Sequence, residues 1–175
     1  MQALEITPLL RQGDNVIAVR LTVIKATDGL LDLVKLVGDF AVERGDGSQR
    51  ISAPRSTLHP ASWVDQGYPY YSGRGLYRRQ FDLPADFDGQ RIFLEPEMVD
   101  DTLEVLVNGQ RAGVRLWEPY QVELTKFLKQ GSNTLELRVA NTPINLLEAV
   151  PRPSGLAGPP RLVPYQPVTF AVPGR

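Results

Sequence analysis

The chain has 175 residues, with 19 Lys plus Arg against 20 Asp plus Glu, one His and no Cys. That length holds one ordinary domain and part of another, and the balanced charge gives no reason to expect a nucleic-acid partner. Without Cys there is no disulfide framework, thiolate metal site or cysteine nucleophile, while the compartment stays open.

From the N-terminus, MQALEITPLLRQGDNVIAVR places acids among apolar positions and lacks a cationic start before a continuous apolar stretch, so it does not read as a signal peptide. Nothing later is long enough to span a membrane as a helix. Residues 4–23 align without a gap on residues 122–141, at a constant offset of 118. Identical pairs are Glu5 and Glu123, Thr7 and Thr125, Leu10 and Leu128, Gln12 and Gln130, Gly13 and Gly131, Asn15 and Asn133, Arg20 and Arg138. The shared block reads as a strand, a Thr capping one helical turn, a Gly where the chain reverses, then Asn and a second strand. In that second strand Ile17, Val19 and Leu21, like Leu135, Leu137 and Val139, take alternate positions and form one apolar face.

A second match starts at Gly29 and Gly155 and pairs Leu30 with Leu156, Lys35 with Arg161, Leu36 with Leu162, Val37 with Val163 and Val42 with Val168. Two blocks in the same order imply two related modules in tandem, the first present only from its closing strands. Residues 1–45 are therefore expected to close an upstream sandwich, 46–70 to form a connector with the first strand or strands, and 71–175 to form the main sandwich.

Period-two segments follow at Leu76–Leu83, Arg91–Leu94, Leu103–Val107 and Tyr120–Leu124. Asn108-Gly109 suits a two-residue turn with positive φ, which folds Leu103–Val107 back onto Gln110–Val114. Fifteen Gly and fifteen Pro between short apolar runs oppose long helices. The fold class is all-β: an antiparallel β-sandwich of jelly-roll or immunoglobulin type.

YRRQFDLP at Tyr77–Pro84, the run Leu103–Thr142 with its VNG hairpin, WEPY segment and LKQGSN turn, and SGLAGPPRLVPY at Ser154–Tyr165 together resemble a known family. It is the galactose-binding-like jelly-roll, or sugar-binding, domain of family 2 glycoside hydrolases, also found in α-L-rhamnosidase-like enzymes. The resemblance runs from about Tyr71 to the C-terminus and implies a non-catalytic sandwich beside a catalytic barrel in the same polypeptide. Such domains bind carbohydrate in some enzymes and buttress the active-site cleft in others. For the parent enzyme an extracellular or periplasmic setting is favoured.

Sugar binding needs aromatic faces for the apolar side of a pyranose and polar groups for its hydroxyls. Two segments offer this mixture. WVDQGYPYYSGR carries Trp63, Asp65, Tyr68, Tyr70, Tyr71 and Arg74, and RLWEPY carries Arg115, Trp117, Glu118 and Tyr120. The competing reading is an aromatic plug over the core, or a surface packed on a catalytic domain. Glu95, Glu97, Asp100 and Asp101 form the densest acidic cluster and read as a turn or strand edge with solvated charges rather than a glycosidase pair. His59 reads as a loop residue. No cofactor is expected, although Asp28, Asp32 and Asp39 offer hard oxygen ligands for a structural calcium ion.

Overall fold

The computed structural model describes residues 3–30, 32, 34–87, 89–97 and 101–170, and divides the chain into two compact units, Met1–Gly38 and Asp39–Arg175.

In the first unit a 3-10 turn at Thr7–Leu9 precedes Gly13, whose φ is 93°. Asn15 then folds its side chain back: Oδ1 accepts from Arg11 N at 2.9 Å, and Nδ2 donates to Arg11 O and Gly13 O. The strand expected over Ile17–Leu21 has no ladder among the described residues. Its apolar face lies open, with Ile17, Val19 and Leu21 each about half exposed.

The second unit begins with a hairpin, β1 (Ala41–Gly45) and β2 (Ser48–Ser52), that crosses residue 45. The main body is an antiparallel sandwich. One sheet has the order β3 (Arg74–Leu83), β8 (Gly131–Ala140), β5 (Thr102–Val107), β6 (Gln110–Arg115). The other has the order β7 (Val122–Glu123), β4 (Arg91–Glu95), β9 (Arg161–Tyr165). The segment expected as a strand over Tyr120–Leu124 is a ladder of only two residues. Among the described residues the one α-helical turn is Ile144–Leu147, and no helix is long and apolar enough to cross a membrane.

Register explains the core. Leu103, Val105 and Val107 of β5 stand opposite Val139, Leu137 and Leu135 of β8. All six are buried, and they meet Leu94, Val122 and Leu124 from the facing sheet. Because successive residues point to opposite faces, the intervening charges line the outside in one chain across four strands: Arg78, Glu136, Arg138, Glu104 and Arg111, with contacts of 2.7, 2.7, 3.3 and 2.9 Å. On β6 the register slips by one residue, Val105 facing Gly113 and Leu106 facing Arg111, so Ala112 forms a bulge.

Asn108 and Gly109 take φ of 52° and 79°, both positive as their hairpin turn requires. Asn108 also hydrogen-bonds Asn133, the residue that holds this end together. Asn133 is 1% exposed: Oδ1 accepts from Lys129 N and Asn108 Nδ2, while Nδ2 donates to Lys129 O and Gly131 O. Three of these bonds repeat, residue for residue, those of Asn15.

Replacing Asn133 by Ala strips partners from part-buried backbone groups, leaves a cavity where its buried amide sat, and should lower the unfolding free energy by about 2 kcal/mol in urea titration. Asn15→Ala, at an exposed clasp, should leave the main transition where it is. Glu136 is held below its ordinary value of 4.5, first by the Arg78 hydrogen bond, with Arg138 adding to it. A carboxylate depressed in the folded state contributes stability that is present above 4.5 and lost as pH falls through its lowered value. Melting temperature should thus hold near neutrality and drop in acid, with a shallower drop in Glu136→Gln.

Candidate functional site

The ladders gather the two aromatic segments at one end of the four-stranded sheet. Arg74 and Thr102 both face Ala140, and Leu103 faces Arg115. The loops before β3 and after β6 thus leave the sheet at the same end, on opposite edges about 14 Å apart at ordinary strand spacing.

Between them the connection after β8 forms a cleft of about 420 Å3, lined by Asp101, Asn141, Thr142, Asn145, Arg152, Pro153 and Ser154. Asn141 fixes one wall, its Oδ1 accepting from Gly73 N and its Nδ2 donating to Tyr71 O. Asn145, 1% exposed, donates to Pro69 O and Arg152 O. Asp101 accepts from Gly155 N at 2.6 Å. The Ser154 hydroxyl is buried and has no hydrogen-bond partner among the described residues, which leaves a donor and an acceptor unused in the wall.

Each expected site residue has a definite place. Trp63 is a core residue, 1% exposed, with its indole N–H donating to Tyr77 Oη at 2.6 Å. It cannot offer a face to a ligand. The reason lies far along the chain: Gly75 and Gly155 both lie against its ring, and a Cβ at Gly155 would come within 2.5 Å of the indole nitrogen. Tyr120 is likewise core, its hydroxyl donating to Asp101 O.

Tyr68 and Tyr70 are half-buried, accepting from Arg55 N and from Gln49 Nε2. Tyr71 meets Trp63 edge-on at 5.5 Å, and its hydroxyl is tied to the Arg74 backbone. Arg115 braces the loop after β6 by donating to Gln121 O and Val114 O. Asp65, Arg74 and Glu118 are exposed, and Trp117 stands out at 72% exposed. Trp117 is the most exposed aromatic of this end among the described residues, with Leu116 at 57% beside it, while Tyr71 is 39% exposed.

The acidic cluster disperses. Glu95 accepts from Tyr165 and Gln121 on the outside of β4, Glu97 is exposed near Arg161, and Asp100 lies outside the described residues. Asp101, expected to be solvated, is instead buried because Gly155 N needs an acceptor there. His59 is exposed in a loop that Gln66 ties by donating to the carbonyls of His59, Ala61 and Ser62. For calcium, Asp28 Oδ2 already accepts from Ile24 N and Lys25 N, and Asp32 lies 3.8 Å from Lys35. No group of three His, Cys, Asp or Glu gathers for a metal among the described residues.

Sequence reasoning missed Asn141, Asn145, Arg152 and Ser154. The available signal was polar residues set among prolines just after a strand, in NTPIN and PRPSG.

No family model matches the chain. It is 30% identical over 103 residues to a β-glucuronidase of Formosa agariphila, covering 53% of this chain and 10% of that protein. It is 31% identical to the solved structure of a rhamnosidase from Novosphingobium sp. PP1Y, with a TM-score of 0.50 over 83% of this chain and 16% of that one. Its relatives are glycoside hydrolases. A family 2 glycosyl hydrolase from Bacteroides cellulosilyticus shares the fold alone, at 18% identity and a TM-score of 0.50, over 73% of this chain and 20% of that one. The chain spans 7% and 10% of the length of the curated relatives it matches.

Gly155 combines a φ of 86° with the indole contact. Gly155→Ala should cost about 3 kcal/mol from backbone strain and overpacking, read by urea unfolding, with a red shift of the Trp63 emission.

Proposed function

We propose that this chain is a non-catalytic part of a glycoside hydrolase and that the loop end of its sandwich recognises carbohydrate, while a catalytic barrel elsewhere in the polypeptide performs the hydrolysis. The observation that carries the reading is the pairing of an open indole, Trp117, with a polar cleft at the same sheet end whose Ser154 hydroxyl lacks a partner among the described residues. Indole stacking takes the C–H face of a sugar, while Asn141, Arg152 and Ser154 are hydrogen-bonding groups suited to hydroxyls. The likeness to a β-glucuronidase and a rhamnosidase supports the assignment to this class of enzyme. Residues 1–45 include, on this reading, the closing strands of a related sandwich, with the part from Asp39 onward belonging to the second unit. The support is the Asn15 clasp, which matches that of Asn133, and the open apolar face of Ile17, Val19 and Leu21.

A second reading has its own observation. Leu116 and Trp117 are adjacent and exposed, as a loop docking on a neighbouring catalytic domain would be.

Titration with rhamnose-, galactose- and glucose-containing saccharides separates the two. With Trp63 buried, a change in surface tryptophan fluorescence reports on Trp117. Carbohydrate recognition predicts a saturable change, weakened about tenfold in Arg152→Ala and abolished as a signal in Trp117→Ala. Silence across the panel favours the docking role.

A further inference from the structure

The outer face of the three-stranded sheet carries a second arrangement with a ligand's chemistry. Ile92 and Leu94 point into the core, so Arg91, Phe93 and Glu95 of β4 point out. The same alternation turns Gln121 and Glu123 outward beside them, and Val163 and Tyr165 outward on β9, where Arg91 faces Tyr165 and Phe93 faces Val163. With the chain after Tyr165 as a further wall, Arg91, Phe93, Gln121 and Tyr165 line a cleft of about 360 Å3.

Its polar groups are oriented by one another. Arg91 forks onto Glu123 through Nε and Nη2 at 3.0 and 2.6 Å and lies 5.1 Å from the centre of the Phe93 ring. Phe93 meets Tyr165 edge-on at 5.1 Å. Tyr165 Oη and Gln121 Nε2 both donate to Glu95 Oε1, at 2.8 and 2.7 Å, which sets that carboxylate beside the two cleft-lining side chains. Those two donors hold the Glu95 carboxyl below its ordinary value, so it is an acceptor before any ligand arrives.

Three cations, Arg91, Lys126 and Arg161, balance three carboxylates, Glu95, Glu97 and Glu123, on and beside this face. A polyanion or polycation gains little there, and an uncharged polyol meets both donors and acceptors. We infer that this face is a shallow binding site for a neutral pyranose, with Tyr165, 44% exposed, as its stacking ring, Phe93 packed edge-on against it, and Glu95 and Gln121 as its hydroxyl partners. The cleft lining is more polar than apolar and is interrupted by charge, unlike the charge-depleted centre of a stable protein interface. The site is distinct from the loop end and stands or falls without it.

Backbone amide shifts of the 175-residue chain, followed by NMR during titration with neutral galactose, glucose and rhamnose and their oligosaccharides to millimolar concentration, test this. Binding should move Phe93, Gln121 and Tyr165, whereas a response at the loop end falls on Trp117 and Arg152. Tyr165→Ala should weaken the outer-face response about tenfold. Glu95→Gln keeps the side chain's volume and the strand, and should also weaken it. The inference is overturned if no sugar moves these residues, if the shifts persist unweakened in both variants, or if they follow protein concentration instead of sugar, which marks a self-association surface.

Discussion

A side-chain amide taken out of water costs more than the packing around it returns unless its donors and acceptor lone pairs are all engaged. Asn133 engages them all. It closes the turn at Lys129 and Gly131 onto itself and reaches across to Asn108 in the neighbouring hairpin. Through that one residue the start of β8 is set against the end of β5, and the alignment of Leu135, Leu137 and Val139 with Val107, Val105 and Leu103 follows. A shift of one residue would turn that whole apolar row into water.

At the far end of the sheet a different device operates. Trp63 enters from a loop and lies against two glycines, Gly75 at the start of β3 and Gly155 beyond the last helical turn. Its indole N–H and the Leu156 amide both donate to Tyr77, whose hydroxyl is pushed above its ordinary value by burial and, to a lesser extent, by the nearby Asp101 charge. The plug completes the core and leaves the loop backbone outside it. Polar side chains there are consequently tied to backbone groups of distant segments, as Asn141 is to Tyr71 and Gly73 and Asn145 to Pro69. The cleft is rigidly walled because its walls are cross-tied.

Most local signals in the sequence mapped onto the structure, and long-range ones did not. The exception among the turns is the Thr cap, because Ile6 and Leu124 precede the two 3-10 turns and neither side chain caps its turn. The Asn108-Gly109 turn, the alternation in β5 and β8 and the repeated Asn clasp depend on neighbours within a few positions, so residue type reveals them. The β1–β2 hairpin carries a comparable cue in Asp46-Gly47. Burial of Trp63 and Tyr120 depends on Gly155 and Asp101, which lie far from them in the chain, and no local pattern announces such partners. The same holds for Asp101, whose charge suggested solvent and whose position is decided by one amide of Gly155. Ile17, Val19 and Leu21 show the converse: a strand pattern without a partner strand among the described residues makes no ladder.

The bulge at Ala112 lies on β6, the outermost strand of its sheet. An edge strand offers unpaired amides and carbonyls at a regular spacing, an invitation for another chain to add itself. The extra residue breaks that spacing midway, and Arg111 beside it places a cation at the break. At the sheet's other margin β3 carries consecutive arginines, Arg78 and Arg79. Growth of the sheet from one molecule into the next is thereby opposed at both margins, by a broken rhythm at one and by charge at the other.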